Sequence, residues 1–87
     1  NLLKINIKGE YLIKNIINHK DEIQYSGFYI KNNEIFLNNN EKINNNKYYN
    51  IIINDFMYNG GDNYNFKHST IIKNFGLITD KLIEYFI

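Results

Sequence analysis

Cysteine, proline, alanine, valine, arginine and tryptophan are all absent from this 87-residue chain. Without cysteine the chain has no disulfide framework and no thiolate metal site. There is also little excess charge, because ten lysines against nine acidic residues leave a net charge of +1. The lysines are spread along the chain, so the charge pattern predicts no nucleic-acid partner and no anionic membrane surface. No apolar run approaches the ~18 residues of a membrane-spanning helix, so no membrane span is expected.

The composition is otherwise that of a chain that folds. Hydrophobic residues make up 44% and aromatic residues 16% of the sequence, which is too apolar for a disordered chain. The length predicts a single small domain, residues 1–87. Asparagine and isoleucine are very abundant, a bias typical of AT-rich coding, so no single asparagine is taken as functional on composition alone. The first residue is Asn1 and not Met, and we expect the chain to be a piece of a larger protein.

In the first twenty residues the spacing of apolar side chains changes from that of a strand to that of a helix. Residues 2 to 8 alternate apolar and polar side chains, which predicts a half-buried strand. Gly9 ends that alternation. Residues 10 to 20 then place apolar side chains at helical spacing, from Leu12 to Ile17, which predicts a helix with one apolar face.

Three later segments complete the predicted fold. Residues 25 to 38 alternate on both sides of the Asn32-Asn33 pair, which predicts a hairpin because asparagine tolerates positive φ in a tight turn. Residues 47 to 53 are β-branched and aromatic, which predicts a buried strand. Residues 68 to 76 fit neither period clearly, and residues 78 to 87 predict a closing helix. The order strand, helix, hairpin, strand, loop, helix predicts an α+β domain with a mixed or mostly antiparallel sheet and helices packed on it.

The loop NDFMYNGGDNYNF, residues 54 to 66, is the least ordinary stretch. Counted from Asp55 it lacks the oxygen ligands of a calcium loop, and Gly60-Gly61 is not part of a phosphate-binding loop. His19 and His68 have no companion at metal-ligand spacing, so we expect a surface histidine near a helix end and a loop histidine. No serine or threonine has a histidine and an acid arranged nearby, so this chain alone is not expected to be catalytic.

Phe56 and Asp62 leave two interpretations of this loop open. In the first it is a tight turn, in which Gly60 and Gly61 allow positive φ, Asp62 caps the loop and Phe56 packs into the core. In the second it is a nucleoside pocket. An exposed aromatic ring stacks on a base for about 1–3 kcal/mol, and a nearby carboxylate accepts hydrogen bonds from ribose hydroxyls for about 1.5–3 kcal/mol. Glycines between the two let the backbone approach the ligand.

The residues of this loop also carry a resemblance to a known family. Asn54-Asp55-Phe56, followed by Gly60-Gly61-Asp62 and Tyr64, looks like the signature loop of the C-terminal domain of 5′-nucleotidases, which are secreted and periplasmic metallophosphoesterases. Other segments are similar to the family in the same order: Lys8-Gly9 before a helix, Gln24-Tyr25-Ser26-Gly27, Lys47-Tyr48 before a strand, Phe75-Gly76-Leu77, and residues 82 to 87. The resemblance covers nearly all of the chain, and the loop is its most specific part.

The resemblance implies a role for the residues of the loop. In that family an aromatic at the position of Phe56 stacks on the base, and an acid at the position of Asp62 binds the ribose hydroxyls. The family's second stacking aromatic belongs to a Pro-Phe-Gly segment that this sequence lacks, and Asn63 stands where the family usually has glycine. The substrate-binding residues implied for this chain are Phe56, Asp62, Gly60, Gly61, Asn59 and Asp55.

The resemblance also implies cofactors and partners. Such enzymes hold two divalent metal ions, of the zinc or manganese type, in an N-terminal domain, so this chain itself would bind none. We therefore expect most of the C-terminal domain of an exported 5′-nucleotidase, periplasmic, at the cell surface or secreted, that hydrolyses phosphate esters of nucleotides. Its partners would be the nucleotide or nucleoside substrate and the metallophosphoesterase domain of the same protein. The alternative is a non-catalytic nucleoside-binding or interaction module that kept the fold without the metal domain.

Overall fold

The computed structural model describes residues 1–20, 24–76 and 82–86. They form an α+β domain, as predicted. Its elements are β1 (Leu2–Lys8), α1 (Gly9–Asn18), β2 (Gln24–Ser26), β3 (Phe28–Lys31), β4 (Glu34–Leu37), β5 (Tyr48–Asn54), α2 (Asp55–Tyr58), β6 (Thr70–Gly76) and β7 (Leu82–Phe86). A short 3₁₀ helix, Gly61–Asn63, lies between α2 and β6.

Five of the strands form one mixed sheet in the order β2-β7-β5-β1-β6. β1 pairs antiparallel with β5 along its whole length, from Leu2 opposite Asn54 to Lys8 opposite Tyr48. On its other edge β1 pairs antiparallel with β6. β7 lies antiparallel to β5 and parallel to β2. The predicted mixed or mostly antiparallel sheet is therefore confirmed.

The hydrophobic core lies between this sheet, α1 and the β3–β4 hairpin. In α1 the side chains of Leu12 and Ile16 are fully buried, while Ile13 and Ile17 are half-buried against the core, which confirms the predicted apolar face. Complete burial of one such aliphatic side chain stabilises a fold by about 1.5–3 kcal/mol. Among the residues whose burial is described, the largest fully buried side chains are those of Phe66, Ile5, Ile7, Leu12, Ile16, Ile35, Ile51 and Ile53. Within the described part of the chain, no helix is long and apolar enough to cross a membrane.

The β3–β4 hairpin forms a separate two-stranded sheet. Its turn is the predicted Asn32-Asn33 pair, with φ of 53° and 61°. Positive φ at both central residues matches the right-handed twist of the flanking strands, so the predicted turn is confirmed. The hairpin is shorter than predicted at its beginning, because Gly27, with φ of 87°, redirects the chain after β2.

The predicted closing helix is wrong for residues 82–86, which form strand β7; residues 78–81 and 87 lie outside the described part of the chain. The short apolar run in this segment fits both helical and extended spacing. The extended form gives Asn50, Ile51 and Ile52 of β5 a partner on the edge that β1 leaves open. Pairing within the sheet therefore outweighs the local helical pattern.

The ambiguous segment from residue 68 to 76 becomes the edge strand β6. Its residues from Thr70 to Phe75 are exposed, including Ile71, Ile72 and Phe75. Because both faces of this strand reach solvent, neither face imposes the strict alternation that marks a half-buried strand. This exposure explains why the period of the segment is unclear in the sequence.

Candidate functional site

The loop that joins β5 to β6, residues 54 to 66, is the candidate site, and we call it the site loop. It begins where Asn54 ends β5 and caps α2. The Asn54 Oδ1 accepts a hydrogen bond of 2.8 Å from the backbone N–H of Met57. Both Asn54 and Met57 are buried, so this end of the loop is anchored in the core. An asparagine in this position satisfies a helix N–H that otherwise has no partner.

The two glycines of the site loop are needed for different reasons. Gly60 has a φ of 93°, in the left-handed region that other residues rarely adopt, and an added Cβ there would lie 3.7 Å from the carbonyl oxygen of Tyr64. Gly61 lies outside that region, but an added Cβ would overlap Cε1, Cζ and Cδ1 of the Phe56 ring. Gly60 therefore makes the turn, and Gly61 makes room for the ring.

The aromatic residues of the site loop divide between the core and the solvent. Tyr64 and Phe66 are 7% and 1% exposed and belong to the core, where their ring centroids lie 5.8 Å apart. Tyr58 is half-buried against that core. Phe56 is 48% exposed, with its ring against Gly61. The tight-turn interpretation is therefore wrong in placing Phe56 in the core.

Asp62 and Asn63 complete the turn in an unusual backbone conformation. Their φ angles are 55° and 66°, in the left-handed region that Asp and Asn tolerate better than most residues. Positive φ was expected at both glycines, but Gly61 does not adopt it. Asp62 is exposed and lines a cleft of about 370 Å³ together with Asn18, His19 and Asn63. Phe56 does not line that cleft. Gly61 lies between the two features, because it contacts the Phe56 ring and is followed in the chain by Asp62.

Helix α1 holds the second half of the site loop through three side chains spaced four residues apart. We call this set, Tyr11, Asn15 and His19, the anchoring face of α1. The Tyr11 ring stacks on His68 with centroids 4.3 Å apart. The Asn15 side-chain amide donates to the Asn65 carbonyl oxygen at 2.8 Å and accepts from the Asn65 N–H at 2.8 Å. The Asn15 amide thus satisfies both backbone groups of Asn65, as a neighbouring strand would.

His19 makes the third contact of the anchoring face. Its Nε2 lies 2.6 Å from the carbonyl oxygen of Asp62, and its Nδ1 lies 2.9 Å from the carbonyl oxygen of Asn15. The imidazole also stacks on the Tyr64 ring, with centroids 3.7 Å apart and planes 16° from parallel. Through these contacts α1 fixes the backbone of the turn that carries Asp62.

The sequence prediction for His19 is wrong, because the side chain is only 7% exposed. A histidine near a helix end was expected at the surface, but the site loop returns over this end of α1 and covers it. The signal in the sequence was the spacing of Tyr11, Asn15 and His19, which puts all three on one helix face. Their partners lie more than forty residues away in the chain, which no local pattern specifies. His68 is an exposed turn residue, as expected.

The remaining predicted site residues hold the first half of the site loop. The Asp55 N–H donates to the carbonyl oxygen of Asn1 at 2.9 Å, and the Asp55 carboxylate lies 3.2 Å from the backbone nitrogen of Asn1. Asn59 is exposed, and its N–H donates to the Asp55 carbonyl oxygen at 2.9 Å. Asp55 therefore ties α2 to the beginning of β1, and Asn59 closes the helix.

Replacing Gly61 with Ala is expected to displace the Phe56 ring and to leave the fold intact. The added methyl group overlaps the ring, but the ring is partly in solvent and can rotate away. Moving one side chain off its preferred rotamer costs about 0.5–1.5 kcal/mol. Nuclear Overhauser contacts between the ring and residue 61, together with the urea unfolding midpoint, measure both effects. Gly60→Ala is the control, since it strains the backbone and leaves the ring where it is. Unchanged ring contacts in Gly61→Ala would contradict this geometry.

No cluster suited to a metal ion is found in residues 1–20, 24–76 and 82–86, since no three His, Asp or Glu side chains group there. The two metal ions that the family resemblance implies belong to the N-terminal domain of that family, and the described residues offer no group of ligands for them. No family profile, curated protein or solved structure with which the chain was compared matches it. The site loop presents one exposed aromatic ring, that of Phe56, and one exposed acidic residue, Asp62, on a turn that contacts His19.

Proposed function

We propose that this chain is the nucleoside-binding domain of an exported phosphohydrolase of the 5′-nucleotidase type. Phe56 stacks on the base of the substrate, and Asp62 accepts hydrogen bonds from the ribose hydroxyls. The observation that carries the proposal is the half-exposed ring of Phe56, placed against Gly61 and followed at once along the backbone by Asp62. The resemblance of the site loop to the family's signature loop supports the same assignment.

The stacking half of the proposal rests on how the Phe56 ring is held. Gly61 supports the ring with backbone atoms, and the capped start of α2 fixes the residue that carries it. A ring that is already positioned loses less conformational freedom when a base stacks on it. Stacking of one base on one aromatic ring contributes about 1–3 kcal/mol, which is enough to orient a nucleoside but not to bind it tightly alone.

The ribose half of the proposal rests on the turn that carries Asp62. A carboxylate has two acceptor oxygens, which suit the two neighbouring hydroxyls of a ribose. The turn is held by His19 from α1, so its carboxylate is presented from a fixed backbone. The cleft beside Asp62, of about 370 Å³, lies near the lower end of the ~300–1,000 Å³ typical of ligand sites. This volume suits the sugar, with the base on Phe56 outside the cleft.

Hydrolysis itself belongs to residues other than those described. The described residues supply affinity and orientation, and the metal ions that the resemblance implies have to be held elsewhere in the protein. Binding of the nucleoside lowers the barrier to hydrolysis if it positions the phosphate for reaction. Removing the Phe56 ring or the Asp62 carboxylate should therefore reduce the rate of turnover as well as the affinity for substrate.

The test is phosphate release from AMP by the full-length protein in the presence of Mn²⁺ or Zn²⁺, compared with its Phe56→Ala and Asp62→Ala variants. Each substitution is expected to lower kcat/KM at least tenfold, which corresponds to about 1.4 kcal/mol of transition-state stabilisation. Tyr48→Ala is the matched control for Phe56, because Tyr48 is an exposed aromatic outside the site loop. Glu41→Ala is the control for Asp62, because Glu41 is an exposed acid outside the loop.

Three outcomes separate the possibilities. Activity that falls in both variants and not in the controls supports the assigned roles. Activity that neither substitution changes contradicts them and leaves the site loop as a structural turn. A folded protein that binds adenosine, loses that binding in both variants, and releases no phosphate from any nucleotide is the non-catalytic module.

A further inference from the structure

Both ring nitrogens of the buried His19 face backbone carbonyl oxygens. Nδ1 lies 2.9 Å from the oxygen of Asn15, one turn earlier in α1, and Nε2 lies 2.6 Å from the oxygen of Asp62 in the site loop. A carbonyl oxygen only accepts hydrogen bonds. Each contact is therefore a hydrogen bond only when the nitrogen concerned carries a hydrogen.

The neutral imidazole carries one N–H and one lone pair, and only the imidazolium carries two N–H groups. The pair of contacts made by His19 is thus complete only in the doubly protonated ring. In the neutral ring one nitrogen turns a lone pair toward a carbonyl oxygen, and that contact becomes repulsive. The geometry provides one carbonyl acceptor for each N–H of a doubly protonated ring.

The contact between His19 and Asp62 lies where two consecutive residues other than glycine adopt positive φ. Asp62 and Asn63 are consecutive residues with positive φ, and each such residue other than glycine costs about 1–2 kcal/mol. The Asp62 carbonyl group belongs to the peptide unit between them, so a hydrogen bond to its oxygen favours this conformation. Loss of the bond removes one interaction that holds the backbone between Asp62 and Asn63 in this conformation.

We propose that His19 is a proton-dependent positioning residue that, when doubly protonated, fixes the turn presenting Asp62 to the sugar of a nucleoside. The role toward the nucleoside rests on the function proposed above, and the role toward the turn does not. Among the described residues, Tyr64 is the titratable group that stacks on the ring, and Asp62 is the charged residue that lines the cleft beside it. Lys20, next in the chain, is exposed and donates to Asn33.

The turn is tested without any ligand by ¹⁵N NMR of the full-length protein between about pH 5.5 and pH 8. Wherever both His19 nitrogens show N–H shifts, the turn is expected to keep the conformation described above. As the ring loses a proton, the backbone amides of Asn63 and Tyr64 are expected to shift with the same midpoint as the ring. Amides that stay unchanged while His19 titrates would overturn the proposal, as would a ring that keeps one bare nitrogen at the lower pH.

The role toward the ligand is tested with adenosine, which has no phosphate group to titrate near pH 6. The affinity for adenosine is expected to fall by roughly two- to tenfold between pH 5.5 and pH 8, the range that corresponds to the net contribution of one hydrogen bond. His19→Gln should remove this dependence on pH, because an amide does not titrate in this range. The matched control His68→Gln, at the other histidine, should retain it. The same pH dependence in all three proteins would overturn the ligand role.

The two proposals fail in different ways. If neither the parent protein nor any variant binds adenosine, the nucleoside function is wrong, and the amide shifts of Asn63 and Tyr64 still decide the role of His19 in the turn. If adenosine binds and Phe56→Ala weakens it, but His19→Gln leaves both the affinity and its pH dependence unchanged, the function stands and the inference about His19 is wrong. Should His19→Gln fail to fold, the NMR titration of the parent protein decides alone.

Discussion

Replacing Gly9 with Ala is expected to lower the free energy of unfolding by about 2–6 kcal/mol, from overpacking and two weakened hydrogen bonds. An added Cβ would overlap the carbonyl oxygen of Asn44 and lie 2.8 Å from its carbonyl carbon. The loop cannot easily move away, because the Gly9 N–H donates to Lys47 at 2.7 Å and the Glu10 N–H donates to Asn45 at 3.2 Å. A domain of 87 residues has only roughly 4–13 kcal/mol of stability in total.

Urea unfolding followed by circular dichroism measures this loss. Gly61→Ala is the matched control, because it adds the same methyl group against a half-exposed side chain, which can turn toward solvent, instead of a backbone carbonyl. We expect the Gly9 variant to have a much lower midpoint or to be unfolded without urea, and the Gly61 variant to remain near the parent. A Gly9→Ala midpoint close to that of the parent would show that residues 44 to 47 can retreat from α1 at little cost.

Replacing Asn15 with Leu is expected to lower the free energy of unfolding by about 2–4 kcal/mol. Leucine has a similar volume and suits a helix, but it leaves the N–H and the carbonyl oxygen of Asn65 without the partners that Asn15 supplies. Each backbone group left unsatisfied in a partly buried place costs about 1–3 kcal/mol. Asn65 is exposed and water can reach part of its backbone. The expected loss of stability therefore lies toward the lower end of the summed cost of the two unsatisfied groups.

The same substitution at Asn18 is the control, since Asn18 is an exposed residue of the same helix and should change stability by less than about 0.5 kcal/mol. Asn15→Asp separates the two hydrogen bonds, because a carboxylate still accepts from the Asn65 N–H but donates nothing to its carbonyl oxygen. Hydrogen exchange at Asn65 should accelerate in Asn15→Leu and less so in Asn15→Asp. Equal stabilities of Asn15→Leu and Asn18→Leu would mean that water replaces the Asn15 amide without cost.

The parts of the fold that follow from the sequence are those decided within a few residues. β1, α1 and the β3–β4 hairpin each have one clear period, and the Asn32-Asn33 turn needs only residues that accept positive φ. β7 could not be predicted in this way, because its five residues fit a helix as well as a strand. What decides between them is the open edge of β5, whose paired residues lie more than thirty positions earlier in the chain.

The same distinction between local and distant causes applies to the site loop. The unusual composition of residues 54 to 66 singles out the loop proposed as the site, and the positive φ of Gly60 follows from its residue type, whereas that of Asp62 was not predicted. The roles of Gly61, His19 and Asn15 could not be predicted, because each depends on a contact with a residue elsewhere. Gly61 is determined by the position of the Phe56 ring, and the other two by the return of the site loop over α1.

The pairing of β1 with β5 and β6 has a consequence for synthesis of the protein. β1 leaves the ribosome first of all the strands, but it occupies the interior of the sheet between two strands made much later. At roughly 5–20 residues per second, the residues between β1 and β5 alone take about 2–8 s to be translated. For that time neither of the strands that pair with β1 has been made, so the side chains of Leu3, Ile5 and Ile7 lack the neighbours that bury them in the folded domain. β1 can therefore take its place in the sheet only after β5 and β6 have been translated, which makes the pairing of β1 a late step in folding during synthesis.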